Sequence, residues 1–246
     1  MNVQRYIPNT LTALNLVCGL VAIVFIMQGD FVNASWAIFG AAVFDYLDGT
    51  AARLLKAYSE LGKQLDSLAD LVSFGVAPGL LMYRLLSAGC NGSCNILEQY
   101  HITPWFALLI PVCSAFRLAK FNIDLRQEVN FIGLPTPANA LFFASIPLVV
   151  LLQPNLFSII RFDFPELFLS NTRVLAMLTV FFSYLLVSDL KIFSMKFRNL
   201  SWKGNQLRYV LAGVSIILIT LLSLTAIPLI ILFYLLLSLF FQAYID

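Results

Sequence analysis

The chain has 246 residues, 60% hydrophobic and 11% charged, with a mean hydropathy of +0.88. An ordinary soluble domain carries about 25% charge and under 50% apolar residues, so this composition excludes a water-soluble fold and places the chain in a bilayer. A net charge of +2 is too small to attract nucleic acid, and four cysteines with one histidine make a zinc site improbable.

Apolar runs close to the roughly 20 residues needed to cross a membrane recur along the whole chain. They predict eight spans, near 9–28, 32–53, 65–88, 104–122, 134–153, 173–193, 208–225 and 227–244. The expected fold is therefore all-α, a polytopic transmembrane helix bundle forming a single membrane domain over 1–246. Only Arg5 precedes the first run and no small-residue cleavage site follows before Asp30, so that run reads as a retained helix rather than a leader. After the third run, Cys90 and Cys94 flank Asn91-Gly92-Ser93 in a polar loop, as a disulfide or as two thiols. Cys18 and Cys113 lie in apolar runs and behave as small hydrophobes. The stretch from Gln153 to Thr172 carries Phe, Ile and Leu throughout and is expected on the membrane surface. Ala226-Ile227-Pro228 breaks the last apolar stretch into two spans joined by a tight turn.

A cytoplasmic N-terminus puts Arg5, Arg53, Lys56, Lys63, Arg117, Lys120, Arg126, Lys191, Lys196, Arg198, Lys203 and Arg208 on the cytoplasmic side. Only Arg84, Arg161 and Arg173 remain opposite. That asymmetry follows the positive-inside rule and predicts a protein of the inner (cytoplasmic) membrane with its acidic segment facing the cytoplasm.

The second span ends in Asp45-Tyr46-Leu47-Asp48-Gly49-Thr50-Ala51-Ala52-Arg53, and the third begins in Gly62-Lys63-Gln64-Leu65-Asp66-Ser67-Leu68-Ala69-Asp70. At about 100° per residue, Asp45, Asp48, Gly49 and Ala52 share one helix face, and Gly62, Asp66, Asp70 and Ser73 share another. One ionised carboxylate in the apolar part of a helix costs about 2.5 kcal/mol or more, and four repel one another. One or two divalent cations bound by hard oxygen ligands match both the charge and the geometry. Gly49, Ala52 and Gly62 serve either close helix packing or the approach of a flat base, ribose or diphosphate to the backbone. Their spacing relative to the acids favours the second.

The ordered set Asp45-x-x-Asp48-Gly49-x-x-Ala52-Arg53, eight residues, Gly62-x3-Asp66-x3-Asp70 resembles the complete signature of the CDP-alcohol phosphotransferases. The resemblance implies that all four aspartates ligate two divalent cations, Mg2+ or Mn2+, that Asp70 is also the general base, and that Gly49, Arg53 and Ser59 contact CDP. Pro8, Asn9 and Thr12 resemble further nucleotide contacts of the family. It also implies a homodimer and a core over 1–200, with 201–246 as additional C-terminal helices. Leu65 to Pro78, Phe116-Arg117-Leu118-Ala119-Lys120-Phe121-Asn122 and Phe131 to Pro137 look like the bacterial and archaeal phosphatidylserine synthases within that family, which commonly have Arg where this chain has Lys120. The implied substrates are CDP-diacylglycerol and L-serine, and the products phosphatidylserine and CMP.

Serine needs a cationic partner for its carboxylate, for which Arg117 and Lys120 are the candidates; the alternative is plain membrane anchoring. Asn122, Thr136 and Asn139 are possible polar contacts. Within the family, glycerol 3-phosphate or inositol phosphate are the competing acceptors. An ion-coupled transporter would explain buried acids but not the Gly-Ala-Arg spacing between them. A membrane prenyltransferase would have its two acidic motifs far apart in sequence, whereas 21 positions separate Asp45 from Asp66.

Overall fold

The computed structural model describes residues 6–89, 102–123, 131–152, 171–192 and 205–240. The loop holding Cys90 and Cys94, and nearly all of the stretch from 153 to 172, lie outside these residues.

Helix α1, Tyr6–Gln28, buries Pro8, Thr12, Asn15, Gly19, Ala22 and Ile26. This alternating spacing of three and four keeps one stripe facing inward. The stripe packs along α2, Phe31–Leu54, with further contacts to the segments that follow. Gly29, at φ +81°, makes the turn between them, and Asp30 caps α2 by accepting from the Asn33 N–H at 3.1 Å. Ser59 caps α3, Glu60–Asp70. The rod continues without a break through a π-helical stretch, Leu71–Val76, into α4, Ala77–Gly89. The third element thus begins earlier than residue 65, because the Ser59 cap and not the onset of apolarity starts the helix.

A 3₁₀ turn at Thr103–Leu108 leads into α5, Leu109–Ile123. Next come α6, Thr136–Leu152, and α7, Thr172–Val187. A short antiparallel ladder, β1 (Phe131–Ile132) with β2 (Lys191–Ile192), pairs Phe131 with Ile192 and Ile132 with Lys191, a small addition to the otherwise helical fold. It ties the entry of α6 to the exit of α7: the Gly133 N–H donates to the Leu190 carbonyl at 2.8 Å, and the Leu134 N–H to that of Leu185 at 3.0 Å. Gly133 sits at φ +77°, and a Cβ there would stand 2.7 Å from the Leu186 carbonyl oxygen. Helices α8, Gln206–Leu222, and α9, Ala226–Phe240, pack against each other across a 3₁₀ turn at Ser223–Thr225; the break falls just before the expected Ala226-Ile227-Pro228, which forms the first turn of α9, where proline is tolerated.

Helix α6 is the centre of the bundle and divides its core. Ala140 and Ala144 pack with Ala22, Ile26, Ala34, Ile38 and Phe74, whereas Phe142 and Phe143 pack with residues of α4, α5, α7 and α9. Small residues on one side admit α2 and the π-helical stretch closely, whereas aromatic ones on the other pack ring to ring, with Phe142 stacked on Phe182 at 4.1 Å. Among the described residues, four helical segments, Tyr6–Gln28, Glu60–Ala88, Thr103–Ile123 and Gln206–Phe240, are long and apolar enough to cross a membrane; α6 and α7 are apolar but shorter. In α2 the polar residues Asp45, Asp48 and Arg53 dilute the apolar character.

A very close approach lies between α1 and the π-helical stretch. A Cβ at Gly19 would overlap Ser73 Oγ and stand 2.8 Å from Ser73 Cα. Because backbone is involved, the overlap is not relieved by a rotamer change. Gly19→Ala is expected to destabilise the protein by about 1–3 kcal/mol, seen as a lowered Tm in detergent with unchanged secondary structure.

Candidate active site

The end of α2 and the start of α3 both pack against α1, so helical periodicity on each brings the acids together. Asp45, Asp48 and Asp66 each offer a carboxylate oxygen, all within 4.8 Å of one another. At about 5 Å and an effective dielectric of about 20, each such pair of charges repels by about 3 kcal/mol. Arg53 does not offset this directly: its Nε donates to the Gly49 carbonyl at 2.9 Å, curling the exposed side chain back along its own helix. Asp66 Oδ1 is buried without a hydrogen-bond partner among the described residues. A cluster of hard oxygen donors with an unsatisfied acceptor fits a hard divalent cation.

The four acids are not equivalent. Thr12 Oγ1 lies 2.7 Å from Asp48 Oδ2 and 3.0 Å from the Pro8 carbonyl, and its single proton has the carboxylate as the shorter acceptor. One oxygen of Asp48 is thereby held. Asp70 stands apart from the trio, one turn past Asp66 and only 8% exposed, though close enough to interact electrostatically with all three. Its Oδ1 accepts from Asn15 Nδ2 at 3.1 Å. Asn15 is a functional candidate that the sequence reading missed; the available signal was a polar residue on the buried stripe of an apolar helix.

The small residues beside the acids divide into two kinds. A Cβ at Gly49 would meet nothing within 4 Å, so helix packing does not require glycine there and open space lies beside Asp48. At Gly62 a Cβ would stand 2.9 Å from Ser59 Oγ and 3.0 Å from Asn9 Oδ1, so this glycine lets the start of α3 close onto α1. Ser59 Oγ accepts from the Gly62 N–H at 3.0 Å, and Ala52 is half-buried.

A second polar group lies behind the acids. Arg117, on α5, is 5% exposed, with Nε and Nη2 lacking hydrogen-bond partners among the described residues. It interacts electrostatically with Asp70 and with Tyr234 of α9, and its guanidinium carbon lies 6.0 Å from the Phe121 ring centroid. Ser114 Oγ, Thr136 Oγ1 and both polar atoms of the Asn139 side chain are likewise buried and unpartnered among the described residues. Such groups are rare in apolar interiors. Lys120, three residues after Arg117, is exposed, so the structure does not bring the two together. Asn122 serves a different contact: its Nδ2 donates to Ser67 Oγ at 2.9 Å and its carbonyl accepts from Lys63 Nζ at 3.1 Å, tying α5 to α3.

Residues 5–185 match the CDP-alcohol phosphatidyltransferase family; α8 and α9 lie beyond the matched stretch. The chain is 37% identical over 188 residues to a protein of Bacillus subtilis (strain 168), covering 76% of this chain and 90% of that one. It is 35% identical over 175 residues to one of Helicobacter pylori (strain ATCC 700392 / 26695), covering 70% and 68%. It is 37% identical over 145 residues to one of Mycobacterium leprae (strain TN), covering 55% and 44%. All three bear the name CDP-diacylglycerol-serine O-phosphatidyltransferase. With the match spanning the acidic hairpin and most of the helices around it, the chain belongs to the CDP-alcohol phosphatidyltransferase family.

Proposed function

We propose that the protein transfers the phosphatidyl group of CDP-diacylglycerol to L-serine, giving phosphatidylserine and CMP. The observation that carries this reading is the convergence of Asp45, Asp48 and Asp66 beside the separately held Asp70, in a chain similar to relatives named for that reaction. Asp45, Asp48, Asp66 and Asp70 hold two divalent cations, Mg2+ or Mn2+. The chemistry such cations supply when bound is polarisation of the phosphoryl oxygens and compensation of charge on the departing phosphate.

In the proposed reaction the serine hydroxyl oxygen forms a bond to the lipid-linked β-phosphorus, and the bond from that phosphorus to the oxygen of CMP breaks. A neutral hydroxyl is a poor nucleophile, so Asp70 takes its proton. Asn9, Thr12, Gly49, Ala52, Arg53, Ser59 and Gly62 form the CDP side, with the open face at Gly49 admitting the nucleotide. Arg117 receives the serine carboxylate, with Lys120 contributing charge nearer the surface. A buried guanidinium with two nitrogens unpartnered among the described residues is suited to such an anion, and Thr136 and Asn139 offer further polar contacts.

We read the chain as crossing the inner membrane eight times, with the N-terminus and active site cytoplasmic, and as working as a homodimer of single domains whose core is 1–200. Purified protein supplied with CDP-diacylglycerol and Mg2+ or Mn2+ is expected to release CMP only when serine is added. Equal release with glycerol 3-phosphate or inositol phosphate would overturn serine as the acceptor. Arg117→Ala is expected to raise the KM for serine about 30-fold, the equivalent of losing about 2 kcal/mol of charge-assisted hydrogen bonding. The KM for CDP-diacylglycerol should stay within about twofold; initial-rate measurements with each substrate varied separately check both.

A further inference from the structure

We infer that Asn15 is a positioning residue for Asp70: its side-chain amide holds one oxygen of that carboxylate and leaves the other free for the proposed roles of Asp70 as ligand and base. The inference rests on the proposed role of Asp70 as base.

The amide orientation follows from chemistry. A carboxylate beside an amide accepts from its nitrogen, so Nδ2 faces Asp70 Oδ1, at 3.1 Å, and Asn15 Oδ1 faces away. Asn15 is fully buried, and that Oδ1 has no hydrogen-bond partner among the described residues. A leucine of similar size would fill the same space on the α1 stripe without burying an unsatisfied oxygen, so packing alone does not account for the amide. Among the described residues, its one polar side-chain contact is with Asp70.

Asn15 is also held from behind. Its main-chain carbonyl accepts from Ser73 Oγ at 3.0 Å, a bond between α1 and the π-helical stretch that starts directly after Asp70. One turn along α1, Gly19 allows the two backbones to touch at the same Ser73. Helix α1 is therefore clamped to the rod immediately beyond the base, and the amide meets Asp70 at a set distance and angle. Insertions of π-helix inside α-helices recur at functional sites; here the stretch presents Ser73 to α1 while Asp70 keeps its place on the acid face of α3. With one oxygen engaged, the carboxylate cannot rotate freely, which is the pre-organisation proton transfer needs.

Kinetics of Asn15→Leu and Asp70→Glu, singly and together, alongside Asp70→Asn, test this. Asn15→Leu is expected to lower kcat for serine-dependent CMP release about 10- to 100-fold, with the KM for CDP-diacylglycerol within about twofold, because the base is misaligned but the nucleotide site is untouched. In the Asp70→Glu background, where the carboxylate is already displaced, the same substitution should cost less than about threefold. Asn15→Ala, which cannot overpack, gives the same readings if Asn15→Leu fails to fold. Wild-type-like kcat in the Asn15 variants, or an equal loss in both backgrounds accompanied by lowered Tm and weaker CDP-diacylglycerol binding, overturns the inference. Near-normal turnover in Asp70→Asn would instead refute the base reading beneath it.

Discussion

Asp70→Asn is expected to reduce serine-dependent CMP release by about 10³-fold or more while CDP-diacylglycerol binding stays within about threefold. General base catalysis contributes about 10²- to 10⁴-fold, and asparagine keeps the shape of the side chain while removing the proton acceptor. The trio of Asp45, Asp48 and Asp66 remains intact in this variant, and Asp70 lies outside it. Binding of the nucleotide lipid should therefore persist, measured by protection against thermal unfolding or by direct titration. Near-normal turnover would remove Asp70 from the base role. Loss of binding in parallel with turnover would assign it to metal holding alone.

Chelation is the second large effect. Protein stripped with EDTA is expected to release no measurable CMP and to recover on addition of Mg2+ or Mn2+, because three carboxylates within 4.8 Å cannot all remain charged beside a diphosphate without a compensating cation. Asp66→Asn should weaken Mn2+ binding at least about 10- to 100-fold, the scale already seen when only a supporting residue of a metal site is lost. Electron paramagnetic resonance of free Mn2+ reads this independently of activity. Asp66 is the informative choice because its Oδ1 is buried and has no hydrogen-bond partner among the described residues. Full turnover after chelation would overturn the metal assignment.

Gly49 and Gly62 show how far spacing along a helix reaches. Both stand at signature positions, and the spacing alone argued for nucleotide space beside each. In the structure the face of Gly49 is open, while Gly62 lies against Ser59 and Asn9. Spacing along one helix says which face a residue occupies; it does not say what the neighbouring helix places against it. Arg117 and Lys120 make the same point, since both lie near the cytoplasmic end of one predicted span and only the packing of α5 buries the first and exposes the second.

Membrane character and the pairing of acids on two helix faces were determined by the sequence itself, because composition and the 3.6-residue period are local properties that survive any arrangement of the helices. The tertiary structure alone decided which side chains hold Asp48 and Asp70. Asp48 meets Thr12 across 36 residues of chain and Asp70 meets Asn15 across 55. No local pattern encodes those meetings, which exist only because α1 lies against the acidic hairpin closely enough for its polar side chains to reach the carboxylates.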